Sequence, residues 1–383
     1  MTRVLIIKTS SMGDIVHNLP VIADIRRERP AFVIDWVVEE AYVELVRMTR
    51  GVTRVIPIAL RRWRRQRGDA DARVERREFL AQLRAEKYDV VLDTQGLLKS
   101  ALIARRARLN PHGVRVGFSF ALARERVARV FYDRGHGVDP RLHAIERMRA
   151  LAAATFGYAG QDLGLPRFEI DVPLAHFDWL PRIGAQELAS DSAPVNGNAR
   201  VAMPYAVLLH ATARPEKTWP SERWVALIDL LCAAGIVPVL PSGSAGERAA
   251  AEVLVHQAEV LMKRGSMRAI VAPAISLVEA AALLAGARVV VGVDTGLLHL
   301  AAALDAPTVG LFGATPRWRY APYWSPHAIN LGSYGELGTQ PAVSAVAEAL
   351  ERLKVLDAGT SVAMLEKEAA VFHIARPRGR RAI

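Results

Sequence analysis

Among its 383 residues the chain has one cysteine, Cys232. An internal disulfide and a cysteine-rich zinc site are therefore excluded, and a reducing compartment suits it. Long apolar runs are also missing. Only Val4-Leu5-Ile6-Ile7 precede Lys8, too few for a secretory signal. The longest apolar stretch, Ala280 to Leu304, is interrupted by Arg288, Asp294 and His299. A spanning helix needs about 20 nearly uncharged residues, so none is expected and the chain is placed in the cytoplasm. Neither GxGxxG nor the P-loop pattern occurs, so both common phosphate-binding fingerprints are absent. Acidic residues are in short supply: 39 against 50 basic ones give a formal charge of +11. The excess is clustered in Arg61-Arg62-Trp63-Arg64-Arg65-Gln66-Arg67 and again in Arg376 to Arg381. Such clusters attract anionic lipid, acidic substrates or nucleic acid, or else they form a solvated face.

What is present fits a globular α/β protein of two domains. Half the residues are hydrophobic and 23% charged, and the length exceeds what one core usually supports. Short β-branched runs alternate with longer amphipathic segments, which predicts doubly wound parallel sheets. In the first half, Val4–Lys8, Phe32–Val38 and Val90–Asp93 read as strands and Ile15–Arg27 as a helix. The pattern restarts at Tyr205, with strands at Ala206–His210, Ile236–Leu240, Ala269–Val271, Val289–Val293 and Thr308–Phe312. Helices are predicted between them at Ser221–Ala234, Ala245–Gln257, Leu277–Leu284 and Leu297–Leu304. The polar stretch Ser190–Asn198 reads as a linker. The expected division is a Rossmann-like domain over 1–189, a linker over 190–203, a second Rossmann-like domain over 204–337 and a helical, basic extension over 338–383. In that extension a helix is predicted at Ala342–Leu356, packing back across the domains.

Two such domains leave a cleft, and ligands in these folds sit beyond the carboxyl ends of the strands. The strand-to-helix turns there carry the chemistry. Ser10-Ser11-Met12-Gly13-Asp14 follows the first strand. In the second half the turns are Ala211 to Lys217, Pro241 to Ser244, and Asp294-Thr295-Gly296 with His299 beyond it. A helix N-terminus stabilises phosphate through unpaired N–H groups. Thr295 and Gly296 supply a hydroxyl and open backbone there, with Thr212 and Lys217 in reach as hydroxyl and mobile cation. Asp14 and Asp294 have a second reading as helix caps, and His299 one as a core residue. Asp69-Ala-Asp71 matches a metal-binding DxD, yet no strand pattern precedes it; it reads as solvated, and no metal is expected.

Taken together, Lys8-Thr9-Ser10-Ser11-Met12-Gly13-Asp14, Asp35-Trp36-Val37-Val38-Glu39-Glu40, Arg61-Arg62-Trp63-Arg64, His210-Ala211-Thr212, Lys217-Thr218-Trp219-Pro220 and Val293 to Leu300 resemble the lipopolysaccharide heptosyltransferases. The resemblance runs in order from about residue 3 to about 330. It implies a GT-B fold, with heptose moved from ADP-heptose to Kdo of Kdo2-lipid A, inversion at the anomeric carbon, and no cofactor. By position, Asp14 matches the general base. Thr212, Ala213, Lys217, Glu247, Asp294, Thr295, Gly296 and His299 match donor-binding positions. Lys8, Ser11, Arg61, Arg62 and Arg64 match acceptor-binding positions. Ala213 departs from the family, which often has a second threonine there. The acidic acceptor gives the arginine cluster a role, together with reversible attachment to the cytoplasmic face of the inner membrane; no nucleic-acid motif accompanies it, and no nucleic-acid partner is expected. Two other readings are a transferase adding heptose to heptose and a non-catalytic nucleotide-sugar-binding protein.

Overall fold

The structure, a computed structural model, describes residues 1–66, 68–120, 124–159, 163–184, 200–261, 268–332 and 340–359. The expected linker Ser190–Asn198 and the basic segment Arg376–Arg381 lie outside the described residues. The chain separates into two compact units, Met1–Pro173 and Leu174 onward, a division that falls ahead of the boundary expected at 189. Among the described residues no helix is long and apolar enough to cross a membrane.

Each unit is built on a wholly parallel six-stranded sheet. In the first, β1 (Arg3–Ile7), β2 (Val33–Glu39), β3 (Arg54–Ile58), β4 (Lys87–Asp93), β5 (Arg108–Phe118) and β6 (Arg134–His136) lie in the order β3-β2-β1-β4-β5-β6. A short antiparallel ribbon, β7 (Arg182–Gly184) with β8 (Arg200–Ala202), begins the second unit. Its sheet contains β9 (Tyr205–Leu209), β10 (Val237–Leu240), β11 (Ile270–Val271), β12 (Val289–Val293), β13 (Thr308–Phe312) and β14 (Ala328–Gly332). Their order is β11-β10-β9-β12-β13-β14. The doubly wound class read from the sequence holds for both units. In each, the strand order reverses between the first strand and the fourth, so β1/β4 and β9/β12 are the switch points where such sheets open a crevice.

The central strands are buried on both faces and therefore read as unbroken apolar runs, such as Val4 to Ile7 and Val289 to Val293. At Gly292 an added Cβ would lie 2.7 Å from the Leu209 side chain, so glycine keeps β12 close against β9 at the switch point.

Two expectations need correction. The helix expected over Ile15–Arg27 is two helices, Met12–Val16 and Leu19–Glu28. Pro20 has no N–H to return to Val16, and its ring would crowd that carbonyl, so the helix stops and restarts with Pro20 in the new first turn. The helix of the C-terminal extension spans Val343–Arg352 and belongs to the second unit. Val343, Val346, Ala347 and Leu350 fall on one face and enter the core formed with the helix Ser221–Ala233 and strands β13 and β14.

Candidate active site

The turn after β1 is fixed from three sides. The Trp36 indole N–H donates to the Lys8 carbonyl at 3.0 Å. The Gln95 amide oxygen, from the turn after β4, accepts from the Thr9 N–H and hydroxyl at 2.8 Å each, and its NH2 donates to the Ser10 carbonyl at 3.2 Å. Asp93 holds that second turn by accepting from the Gln95 and Gly96 N–H groups and from the Tyr132 hydroxyl at 2.6 Å. Within this frame Ser11 is the cap of the helix Met12–Val16, and Asp14 is its third residue. Asp14 Oδ2 reaches back to accept from the Ser11 N–H at 3.0 Å and hydroxyl at 3.2 Å. The cap reading is thus half right: Asp14 braces its own turn from the N3 position instead of capping Val16 or His17. Oδ1 is left facing the Lys8 ammonium at 3.9 Å.

Lys8 is only 5% exposed, and its Nζ also donates to the Thr94 carbonyl at 3.3 Å. Burial pushes its pKa below the ordinary lysine range, against the opposing pull of Asp14 and Asp93. For Asp14, burial pushes the pKa up, but Lys8, the Ser11 N–H and Arg124 outweigh it and hold the carboxyl below the ordinary aspartate range. The result is an ionised, partly exposed carboxylate with one oxygen hydrogen-bonded to Ser11 and the other facing the Lys8 ammonium.

In the second unit, Lys217 Nζ donates to Asp294 Oδ2 at 2.6 Å and contacts the Asp294 carbonyl at 3.4 Å. Asp294 Oδ1 accepts from His299 Nε2 at 2.9 Å. Asp294 and His299 are both buried. Burial alone would raise the Asp294 pKa, but His299 and Lys217 drive it far below the usual carboxylate range. Lys217 is therefore held in place and is not the mobile cation expected. Asp294 is not a cap either: Thr295 occupies that position of the helix Gly296–Ala303, and its Oγ1 is buried with no hydrogen-bond partner among the described residues. His299 reconciles its two readings, since it is buried yet aimed at the turn.

The turn after β10 joins the same end of this sheet. Glu247 Oε2 accepts from the Gly243 N–H at 2.7 Å, and the Glu247 carbonyl accepts from His210 Nε2 at 3.3 Å, which puts the ring hydrogen on Nε2. Burial lowers the His210 pKa and keeps it neutral. Thr212 Oγ1 accepts from the Arg214 N–H at 3.3 Å, and Ala213 is exposed. This end of the sheet combines a fixed ammonium, an unpaired hydroxyl and a helix N-terminus, an arrangement suited to a phosphate group.

Residues 76–349, well over half of the chain, match the model of glycosyltransferase family 9 (heptosyltransferase). The chain belongs to that family. It is 41% identical over 314 residues to lipopolysaccharide heptosyltransferase 1 of Escherichia coli strain K12, covering 82% of this chain and 88% of that one. Identity to the Pseudomonas aeruginosa PAO1 protein of the same name is 40%, over 82% and 79% of the two chains. Among solved structures it is similar to E. coli heptosyltransferase WaaC with ADP, at a TM-score of 0.75 and 37% identity over 92% of this chain and all of that one. The complex of the same enzyme with ADP-2-deoxy-2-fluoro heptose gives a TM-score of 0.71 at 38% identity, over 92% of this chain and 99% of that one. The resemblance read from the motifs is therefore correct, and the GT-B class with it.

As a family 9 glycosyltransferase the chain divides its arginine cluster unevenly. Arg62 is committed to Glu40 and Glu75, each at 2.9 Å. The Arg61 backbone N–H donates to Glu39 at 2.9 Å, and its guanidinium lies over the Tyr42 ring. Arg64 is exposed and makes no ion pair among the described residues. Of the three arginines expected to meet an acidic acceptor, Arg62 is thus paired with protein carboxylates and Arg64 is exposed without such a pair among the described residues. Asp69 caps the helix Ala70–Arg84 by accepting from the Asp71 N–H at 2.8 Å, which accounts for the DxD spelling. Sequence reading missed Gln95, Asp93 and Tyr132. The Thr-Gln-Gly that ends the β4 segment is a strand-end turn like the others and was the available signal.

Proposed function

We propose that this family 9 glycosyltransferase moves L-glycero-D-manno-heptose from ADP-heptose to a Kdo hydroxyl of Kdo2-lipid A, with Asp14 as general base. The observation that supports the reading is the Asp14 carboxylate: Oδ2 is fixed by the Ser11 N–H and hydroxyl, while Oδ1 has only the Lys8 ammonium beside it, at 3.9 Å, among the described residues. The acceptor hydroxyl attacks the anomeric carbon, its proton passes to Asp14, and the bond from that carbon to the diphosphate oxygen breaks. One carboxylate suffices for such a single displacement, which inverts the centre, whereas a double displacement needs a second nucleophile. Lys8, buried behind Asp14, keeps it ionised and oriented. The second unit takes the leaving ADP: Lys217, the Thr295 hydroxyl and the N–H groups opening the helix Gly296–Ala303 oppose the charge that develops on the diphosphate. The names of the solved relatives, with ADP and with an ADP-heptose analogue, support the choice of donor. Exposed cations of the arginine cluster favour reversible attachment to an anionic leaflet.

The test is transfer by the purified chain to Kdo2-lipid A, comparing ADP-heptose with UDP- and GDP-sugars. Product is expected from ADP-heptose alone, and equal use of the other donors would contradict the assignment. Lys217→Ala is expected to weaken ADP-heptose binding by about tenfold, the value of one charge-assisted hydrogen bond. Calorimetry of ADP-heptose binding checks this; an unaltered constant would remove Lys217 from the donor site.

A further inference from the structure

A groove of about 500 Å³ opens in the first unit between the helices Leu60–Arg65, Ala70–Arg84 and Leu98–Arg106. Its floor is apolar, with Phe79, Leu80, Leu102 and Ile103, and its rim carries Arg64, Arg76, Lys99 and Arg106. Three of the rim cations hydrogen-bond to neutral acceptors, and Lys99 also lies within the electrostatic reach of Glu39 and Glu125. Arg76 donates to the Trp63 carbonyl at 2.8 Å and lies over that ring, Arg106 donates to the Leu102 carbonyl at 3.4 Å, and Lys99 donates to Ser10 Oγ at 3.3 Å. Among the described residues none of the four pairs with a carboxylate, whereas neighbouring Arg62 pairs with two.

A free sugar gains little from the apolar floor, and a bare hydrocarbon gains nothing from four cations. The chemistry that uses both is an acidic amphiphile, and the volume lies in the range of small-molecule sites. Lys99 joins the groove to the catalytic turn, because its partner Ser10 precedes Ser11, which holds Asp14. We propose that the groove seats one fatty-acyl chain of the acidic lipid acceptor, with the rim cations against the anionic head and the reacting hydroxyl at Asp14. This rests on the acceptor assigned above and adds that the enzyme reads the lipid as well as the sugar.

The test measures kcat/KM on the acylated acceptor and on its fully deacylated form, each below its aggregation concentration. The unmodified chain is expected to favour the acylated form by about tenfold, from moving only a few methylenes out of water. Leu102 is 37% exposed, so Leu102→Glu places a carboxylate in the groove with little risk to folding. That variant is expected to lose the preference through a higher KM for the acylated acceptor, while kcat/KM on the deacylated form stays within about twofold; Leu102→Phe should retain the preference. Equal use of both acceptors by the unmodified chain, or equal loss on both in Leu102→Glu, would overturn the proposal. So would weaker binding of Leu102→Glu to anionic phospholipid vesicles with the acyl preference intact, which would assign the groove to the membrane. Transfer to neither acceptor would overturn the assigned reaction itself, and the groove's occupant with it.

Discussion

Asp14→Asn is expected to cut kcat by about a thousandfold, within the usual range for losing a general base, and to leave the ADP-heptose dissociation constant within about twofold. The asparagine has the shape of the carboxylate, and its amide oxygen can still accept from the Ser11 N–H. The brace on the turn therefore survives while the capacity to take a proton is lost. Asp14→Ala separates the two roles: it removes the brace too and is expected to cost about 1 kcal/mol of stability beyond Asn, with a similar loss of turnover. Both readouts, steady-state transfer and calorimetric donor binding, are needed. Unchanged turnover in Asp14→Asn would reduce Asp14 to a structural brace. Parallel loss of turnover and donor affinity would point to a collapsed site.

Asp294→Asn is expected to lower stability by about 3 kcal/mol, because it leaves the Lys217 ammonium in a largely buried position without its counter-charge. In a domain of this size that amounts to roughly 10 °C in Tm. The effect carries a pH signature. The folded Asp294 titrates far below its ordinary value of 3.8, so its contribution is fully present above that value and is lost as pH falls from there toward the folded pKa. The gap in Tm between the unmodified chain and Asp294→Asn should therefore be widest near neutrality and narrow from about pH 4 downward. A gap independent of pH would mean the variant acts by something other than removing this ion pair. Lys217→Ala combined with Asp294→Asn should cost less than the sum of the two single changes, since each leaves the other's charge stranded.

How much of this was legible in the sequence depended on burial. Val289–Val293 and Thr308–Phe312 were read with their observed bounds, since strands covered on both faces are continuous apolar runs. The strands missed were mostly marginal ones. β3 contains Pro57, tolerated because it lies at the sheet edge; β6 is Arg-Gly-His with no apolar pattern; β14 is a half-buried edge. β5 carries Pro111 and Gly113 and shifts register against β4, which hides its periodicity.

The site was legible where function lay in one short segment. The Asp14 and Asp294 turns were found because hydroxyls, glycine and carboxylate sit side by side after an apolar run. What escaped was set by distant partners. Gln95 braces Thr9 across 86 residues, and Glu75 neutralises Arg62 from the next helix. No local pattern announces either contact. The same holds for the burial of Lys8 and for its position 3.9 Å from Asp14.

The most direct measurement is the anomeric configuration of the transferred heptose, read by NMR on product made from ADP-heptose of known configuration. A single displacement assisted by Asp14 gives a product inverted at the anomeric carbon. A retained configuration would exclude a single back-side displacement and would contradict the assignment of one carboxylate as base for that attack.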